Sequence, residues 1–150
     1  MENSIINIRL GVQTDLDGLL ELYSELRPND PILNANESKA AWVDLLNNPH
    51  VKIVVAEIND VLASTCQLSI CPTLTNNARP FGIVEHVITS SKYRRRGLSQ
   101  KVIEKALEFA WEFNCYKVML LSGENRTAAH NLYEKIGFKS GIERGFIIKP

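Results

Sequence analysis

The sequence has no surplus of either charge: 17 lysines and arginines stand against 17 aspartates and glutamates in 150 residues. A protein that holds nucleic acid by bulk electrostatics is normally clearly basic, so no nucleic-acid partner is expected. Cysteine is scarce. Cys66, Cys71 and Cys115 are odd in number and irregularly spaced, which excludes a disulfide framework, and no C-x-x-C pair suggests zinc. No metal is expected, and the thiols fit a reducing, cytoplasmic setting. No apolar run approaches the ~20 residues that cross a bilayer, so no membrane partner is expected. The stretch Met1–Ile6 lacks the basic region and apolar run of a secretory leader. There is no internal repeat, low-complexity tract or linker, so residues 1–150 read as one domain.

What is present is periodicity. Ile6, Ile8 and Leu10 alternate with polar residues over Ile5–Val12, a strand pattern. Thr14 can cap a helix carrying Leu16, Leu19, Leu20, Tyr23 and Leu26, with Asp15 and Asp17 in its first turn. Pro28 and Pro31 end it. After the loop Arg27–Asn36, Ala41, Trp42, Leu45 and Leu46 mark one face of a helix over Glu37–Leu46. Val51–Ile58 and Val61–Cys71 read as strands joined at Asn59-Asp60, a two-residue hairpin turn. Following the polar loop Pro72–Pro80, Phe81–Thr89 is a β-branched strand. A long amphipathic helix spans Leu98–Phe113, a buried strand Tyr116–Leu121, and a helix Arg126–Ile136 closed by Gly137. Phe138–Ser140 and Gly145–Lys149 read as short final strands. The order predicts an α/β domain with a mixed sheet.

One junction points to a ligand. The strand ending at Thr89 runs through Ser90-Ser91-Lys92-Tyr93 into Arg94-Arg95-Arg96-Gly97-Leu98-Ser99, where the long helix begins. The first N–H groups of a helix lack intrahelical partners and sit at its positive end, a phosphate-binding arrangement. Gly97 lets a ligand approach the backbone, and the arginines suit a diphosphate. The stretch is neither a Walker loop nor a G-x-G-x-x-G turn. From these residues alone, a solvated basic turn explains it equally well.

Arg94-x-x-Gly97-x-Ser99 resembles the [QR]-x-x-G-x-[GA] acetyl-CoA loop of the GNAT (GCN5-related N-acetyltransferase) superfamily. Ala129-His130-Asn131-Leu132-Tyr133-Glu134-Lys135-Ile136-Gly137-Phe138 resembles that superfamily's A-x-x-[LF]-Y-E-K-x-G-F block. Ser99 departs from the usual Gly or Ala but is still small. The resemblance spans the chain and implies the acyl-CoA N-acyltransferase fold: a mixed, mostly antiparallel twisted sheet flanked by helices. It implies acetyl-CoA as cosubstrate, with its diphosphate on the N–H groups of Arg95, Arg96, Gly97, Leu98 and Ser99 and a contribution from Arg94. It further implies pantetheine lying along Val87, Ile88 and Thr89 as an added strand. Asn125 is a candidate for the asparagine that contacts this arm, although it falls one place early in the frame set by Ala129 and Tyr133. Relatives commonly form homodimers, but nothing in this sequence fixes an oligomeric state.

An alkylamine titrates near about 10.4 and is protonated at neutral pH, so acetyl transfer needs an outlet for that proton. It also needs donors for the carbonyl oxygen and an acid at the leaving sulfur. Glu85, in an apolar strand, is the candidate base or water relay. Strand alternation puts Glu85, Val87 and Thr89 on one face and His86 on the other. The alternative for Glu85 is to orient substrate or pair locally. The resemblance places the Tyr133 hydroxyl near the coenzyme sulfur as proton donor, and the Val87 N–H as donor to the carbonyl oxygen. His130 reads as structural or solvent-facing, and the cysteines as apolar filler. The expected activity is therefore direct N-acetylation of a primary amine, with a small polar metabolite as acceptor. Arg27 or Arg79 could pair with an anionic group on it. Asn114-Cys115-Tyr116-Lys117-Val118 and Leu132-Tyr133-Glu134-Lys135 are also similar to glucosamine-6-phosphate N-acetyltransferases, but chiefly in the cofactor half, which does not carry the substrate over. Acetylation of a protein N-terminus or lysine, and a non-catalytic acyl-CoA sensor, stay open as alternatives.

Overall fold

In the computed structural model, residues 4–150 are described. The first three residues of the Met1–Ile6 stretch lie outside them. Residues 4–150 form five strands, β1 (Ile6–Leu10), β2 (Val51–Ile58), β3 (Val61–Cys71), β4 (Phe81–Thr89) and β5 (Val118–Met119). Four helices have ten or more residues: α1 (Leu16–Leu26), α2 (Ala35–Asn47), α3 (Leu98–Glu112) and α4 (Thr127–Ile136). The strands lie side by side in sequence order. The first three pairings are antiparallel and the fourth, β4 with β5, is parallel.

Both faces of the sheet are covered, so β2 reads as a nearly continuous apolar run rather than an alternating one. Val54, Ala56 and Ile58 join Cys66, Leu68 and Val84 beneath Leu98, Val102, Ile103 and Ala106 of α3. Ile53 and Val55 face the other way, against Leu19 of α1 and Trp42 of α2. The turn between β2 and β3 is as the sequence predicts. Asn59 and Asp60 take φ of 47° and 64°, the paired left-handed conformation of a type I′ hairpin.

The start of α1 differs from the reading of Thr14 as its cap. Thr14 lies in a 3₁₀ turn, Gln13–Asp15, and Asp15 organises the junction. Its carboxylate accepts from the Val12 N–H at 2.7 Å and from Arg9 at 2.6 and 3.0 Å. Arg9 also donates to Glu57 of β2 at 2.6 Å. Burial pushes the Asp15 carboxyl up, but Arg9 and the Val12 N–H outweigh it and hold the group below its ordinary value. A lowered carboxyl stabilises the fold above its unfolded value and loses that contribution as pH falls. Asp15→Ala is therefore expected to cost about 2 kcal/mol near neutral pH, from lost charge-assisted hydrogen bonds. Urea unfolding checks this, and the gap from the parent should narrow as pH falls below the ordinary carboxyl value of 3.8 and the parent's carboxylate begins to be lost.

Helix α2 begins two residues before its expected start. Asn34 accepts from the Glu37 N–H at 2.9 Å, and Glu37 accepts in return from the Asn34 N–H at 3.3 Å. This reciprocal pairing satisfies two N–H groups at the helix entry. The last strands are corrected more deeply. Of Tyr116–Leu121, only Val118–Met119 joins the sheet, opposite Gly82 and Ile83. Neither Phe138–Ser140 nor Gly145–Lys149 forms a strand. Phe146, Ile147 and Ile148 are exposed, Ile148 at 96%. Strand propensity needs a ladder partner, and β5 gives the sheet edge only two residues.

Candidate active site

After Ile83 and Met119, β4 and β5 separate, so the edge of β4 beyond that point has no strand beside it. Here opens a cleft of about 330 Å³, lined by Glu85, His86 and Val87 of β4, by Leu120 just after β5, and by Arg126 and Tyr133. Leu26 and Arg27, at the end of α1, close one wall.

The lining of β4 departs from simple alternation. Glu85 pairs with Gln67 and Ile88 with Thr65, so His86 and Val87 together stand opposite Cys66, an extra residue on β4. This bulge inverts the facing of the residues beyond it. Val87 packs on the α3 side with Val84, while Glu85 falls on the other face. The expectation that Glu85, Val87 and Thr89 share a face is thereby corrected. His86 carries the bulge in a left-handed conformation, φ 53°, with its ring edge-on to Tyr23 of α1 at 5.9 Å. Its Nε2 lies 3.6 Å from a Glu85 carboxylate oxygen. The opposite-face reading of His86 thus gives way to a place in the cleft wall next to Glu85.

The turn after β4 is braced from behind. Glu25 of α1 accepts from the Ser91 N–H at 3.0 Å and from the Ser90 hydroxyl at 3.2 Å. The chain then enters left-handed space at Arg95 (φ 65°) and again at Gly97 (φ 71°), which sits at the cap position of α3. Gly97 contributes no side-chain cap, and a Cβ placed there would meet nothing within 4 Å. The helix entry is open and uncapped, as an incoming anion requires. Arg96 lies over the Tyr93 ring at 5.6 Å, and the Arg94 Nε donates to the Thr89 carbonyl at 3.5 Å. Among the described residues, no carboxylate pairs with Arg94, Arg95 or Arg96. The Ser99 hydroxyl is 2.7 Å from that of Thr89, which is 2.8 Å from that of Ser64. The departure from Gly or Ala therefore gives α3 a polar strut onto β4 and β3.

Tyr133 is 8% exposed, on the face of α4 that meets the cleft, with its ring edge-on to Phe138. Burial raises its pKa, and the charge of Arg126 only partly opposes that. The phenol stays protonated at neutral pH and can donate. Asn125 lies in the exposed turn before α4, and Arg126, one place later, is the residue in the wall. His130 is structural, with its Nε2 2.8 Å from the Gly123 carbonyl across that turn. Arg79 hydrogen-bonds to the carbonyls of Asn114 and Cys115 at 3.1 Å and lines no part of the cleft. Arg27 does line it, while pairing with Asp30 at 2.6 Å.

Sequence reading misses His86 and Arg126 as wall residues, and Ser122, which follows Leu121 of the cleft lining. The Ser122 hydroxyl oxygen is the buried side-chain polar atom with no partner among the described residues. Such an orphan is a place where a bound ligand supplies the missing hydrogen bond. With the uncapped helix and the open edge of β4, it fits the chain to a long ligand carrying phosphates at one end. Burial drives the Cys66 thiol up to about 12, and its hydrogen faces the Val102 carbonyl at 3.3 Å, so it is no nucleophile at neutral pH. Among the described residues, no helix is long and apolar enough to cross a membrane.

Comparison with known proteins agrees with this geometry. Residues 16–138 match the acetyltransferase (GNAT) family model. The chain is 33% identical over 147 residues to a probable glucosamine 6-phosphate N-acetyltransferase of Oryza sativa, covering 93% of this chain and 84% of that one. A glucosamine 6-phosphate N-acetyltransferase of Trypanosoma brucei is 27% identical over 135 residues, covering 90% of each. A solved putative acetyltransferase of Agrobacterium tumefaciens superposes with a TM-score of 0.91 at 41% identity, over 96% of this chain and 99% of that one. The chain belongs to the GNAT acetyltransferase family and is an acetyl-CoA-dependent N-acetyltransferase.

Proposed function

We propose that the chain acetylates the primary amine of a small polar metabolite by direct attack, with both substrates bound together. The observation that carries this reading is the separation of β4 from β5, with a cleft that both Glu85 and Tyr133 line, together with the uncapped start of α3 that follows β4. Acetyl-CoA supplies the acetyl group activated as a thioester. The N–H groups from Arg95 to Ser99 hold its diphosphate, with Arg94 adding charge. The open edge at Val87, Ile88 and Thr89 takes the pantetheine arm as an added strand, and Asn125 contacts the arm from the turn before α4. The Val87 N–H stabilises charge building on the carbonyl oxygen. Glu85 draws the acceptor ammonium into the cleft and anchors the route by which its proton leaves. Tyr133 donates a proton to the departing sulfur.

The wall suits an acceptor that carries an anion as well as an amine, because Arg27 and Arg126 face the same cleft as Glu85. A phosphorylated amino sugar has that pairing, and glucosamine 6-phosphate, for which two relatives are named, is the first acceptor to test. The panel sets it beside an aminoglycoside and a peptide with a free N-terminus, reading free thiol released from acetyl-CoA. Fastest turnover with the amino sugar phosphate is expected. Preference for the peptide replaces the metabolite reading, and no release with any amine overturns direct transfer. Acetyl-CoA at 100 times its Kd should also stabilise the fold by about 2.7 kcal/mol, visible as a rise in Tm.

A further inference from the structure

We propose that His86 takes the proton from the acceptor ammonium, and that Glu85 serves as the carboxylate that steadies the imidazolium so formed. This rests on the acetyl-transfer reading above and names the proton acceptor within it.

The backbone aims the ring. The bulge gives β4 one residue more than β3 needs, and that residue's side chain leaves the regular alternation. The position is filled by a histidine at φ 53°, not by glycine. Left-handed backbone is unfavourable for a residue with a Cβ. Retained strain of this kind is concentrated at sites where a side chain must be aimed. Here His86 lines the cleft, 38% exposed, with its ring edge-on to Tyr23 and its Nε2 3.6 Å from Glu85.

The acid–base chemistry favours the same residue. The Glu85 side chain is 59% exposed. Imidazole is the side chain most often used as a general base, and a carboxylate beside it is its usual counter-charge. The Glu85 carboxylate oxygen lies 3.6 Å from Nε2 of His86, close to where the charge of a protonated ring develops. The titratable and charged groups around His86 are Glu85, 3.6 Å away on its own strand, Tyr23 of α1 against the ring, and Arg27, Arg126 and Tyr133, which line the same cleft. Glu85 alone among them is a carboxylate. The proton leaves the ammonium nitrogen for the ring nitrogen, and the freed lone pair forms the N–C bond as the C–S bond breaks. The sulfur takes its proton from the Tyr133 hydroxyl. The second amine proton returns to the Tyr133 oxygen, and the imidazolium gives its proton to water at its exposed edge.

The test is the pH profile of kcat/KM for the best acceptor of the panel, in the parent, His86→Asn and Glu85→Gln. Asparagine tolerates the left-handed backbone, so His86→Asn removes the base and keeps the bulge. It is expected to lower turnover about 100-fold at pH 7, to leave acetyl-CoA affinity unchanged, and to lose the acid limb of the profile. Glu85→Gln should slow the reaction but keep that limb. His86→Gly also keeps the backbone, and free imidazole added to it should restore part of the rate. Survival of the limb in His86→Asn, or its loss in Glu85→Gln alone, overturns the assignment to His86 while acetyl transfer by the parent stands. Failure of the parent to acetylate any amine in the panel sinks the underlying reading and this proposal with it.

Discussion

Gly97→Leu is expected to weaken acetyl-CoA binding about 100-fold, a loss of about 2.7 kcal/mol, while the free protein still folds. The two effects separate because of where Gly97 stands. Its φ of 71° strains any residue with a Cβ, at about 1 kcal/mol. For a chain of this length, such a loss lowers Tm by about 2–4 °C. In the free protein a Cβ added there meets nothing within 4 Å, so the side chain leaves the backbone into open space. On the proposed reading, that same open space is where the diphosphate approaches the first N–H groups of α3, so the leucine stands in the ligand's place. Isothermal titration with acetyl-CoA and a thermal melt read the two quantities independently. Unaltered affinity would remove the start of α3 from the binding site.

Tyr133→Phe is expected to lower kcat about 100-fold or more with little change in acetyl-CoA affinity, the pattern of a proton donor that acts at the departing sulfur. The ring is 8% exposed and packs edge-on to Phe138, contacts that phenylalanine keeps. Burial, set partly against the charge of Arg126, holds the phenol above its ordinary value of 10.0. The donor should thus stay protonated through pH 9, and the parent should show no alkaline loss of rate from this group below that pH. Steady-state kinetics with a coenzyme titration checks the split. Equal losses in kcat and in affinity would make Tyr133 a packing residue and not an acid.

The helices and the hairpin are legible in the sequence because their signals are local. Asn59-Asp60 marks its turn through residues that tolerate positive φ, and Gly97 and Gly137 punctuate α3 and α4 within a few positions of where the chain obeys them. The bulge is not legible. Glu85-His86-Val87 contains no glycine, and a period-2 reading assumes an unbroken pleat, so it puts His86 on the wrong face. The short β5 and the missing final strands share a cause: a strand exists only where a neighbour supplies its ladder, and no residue within Tyr116–Leu121 or Gly145–Lys149 encodes that neighbour. The Asp15 junction reads as a Thr14 cap because its strongest link joins Arg9 to Glu57, 48 positions away.

By itself, the sequence determined the order of elements through α4 and the residues around the turn that opens α3, since each is set by spacing along a few consecutive turns of chain, and it carried the motifs of the family. Tertiary structure alone decided the site: that β4 and β5 part after two paired residues, that a bulge puts His86 in the cleft lining beside Glu85, and that Tyr133 lines the same opening. The reason is physical. Helix periodicity and turn chemistry are settled between neighbours along the chain, whereas a cleft is made by the failure of two strands to pair, which depends on everything packed on both sides of them.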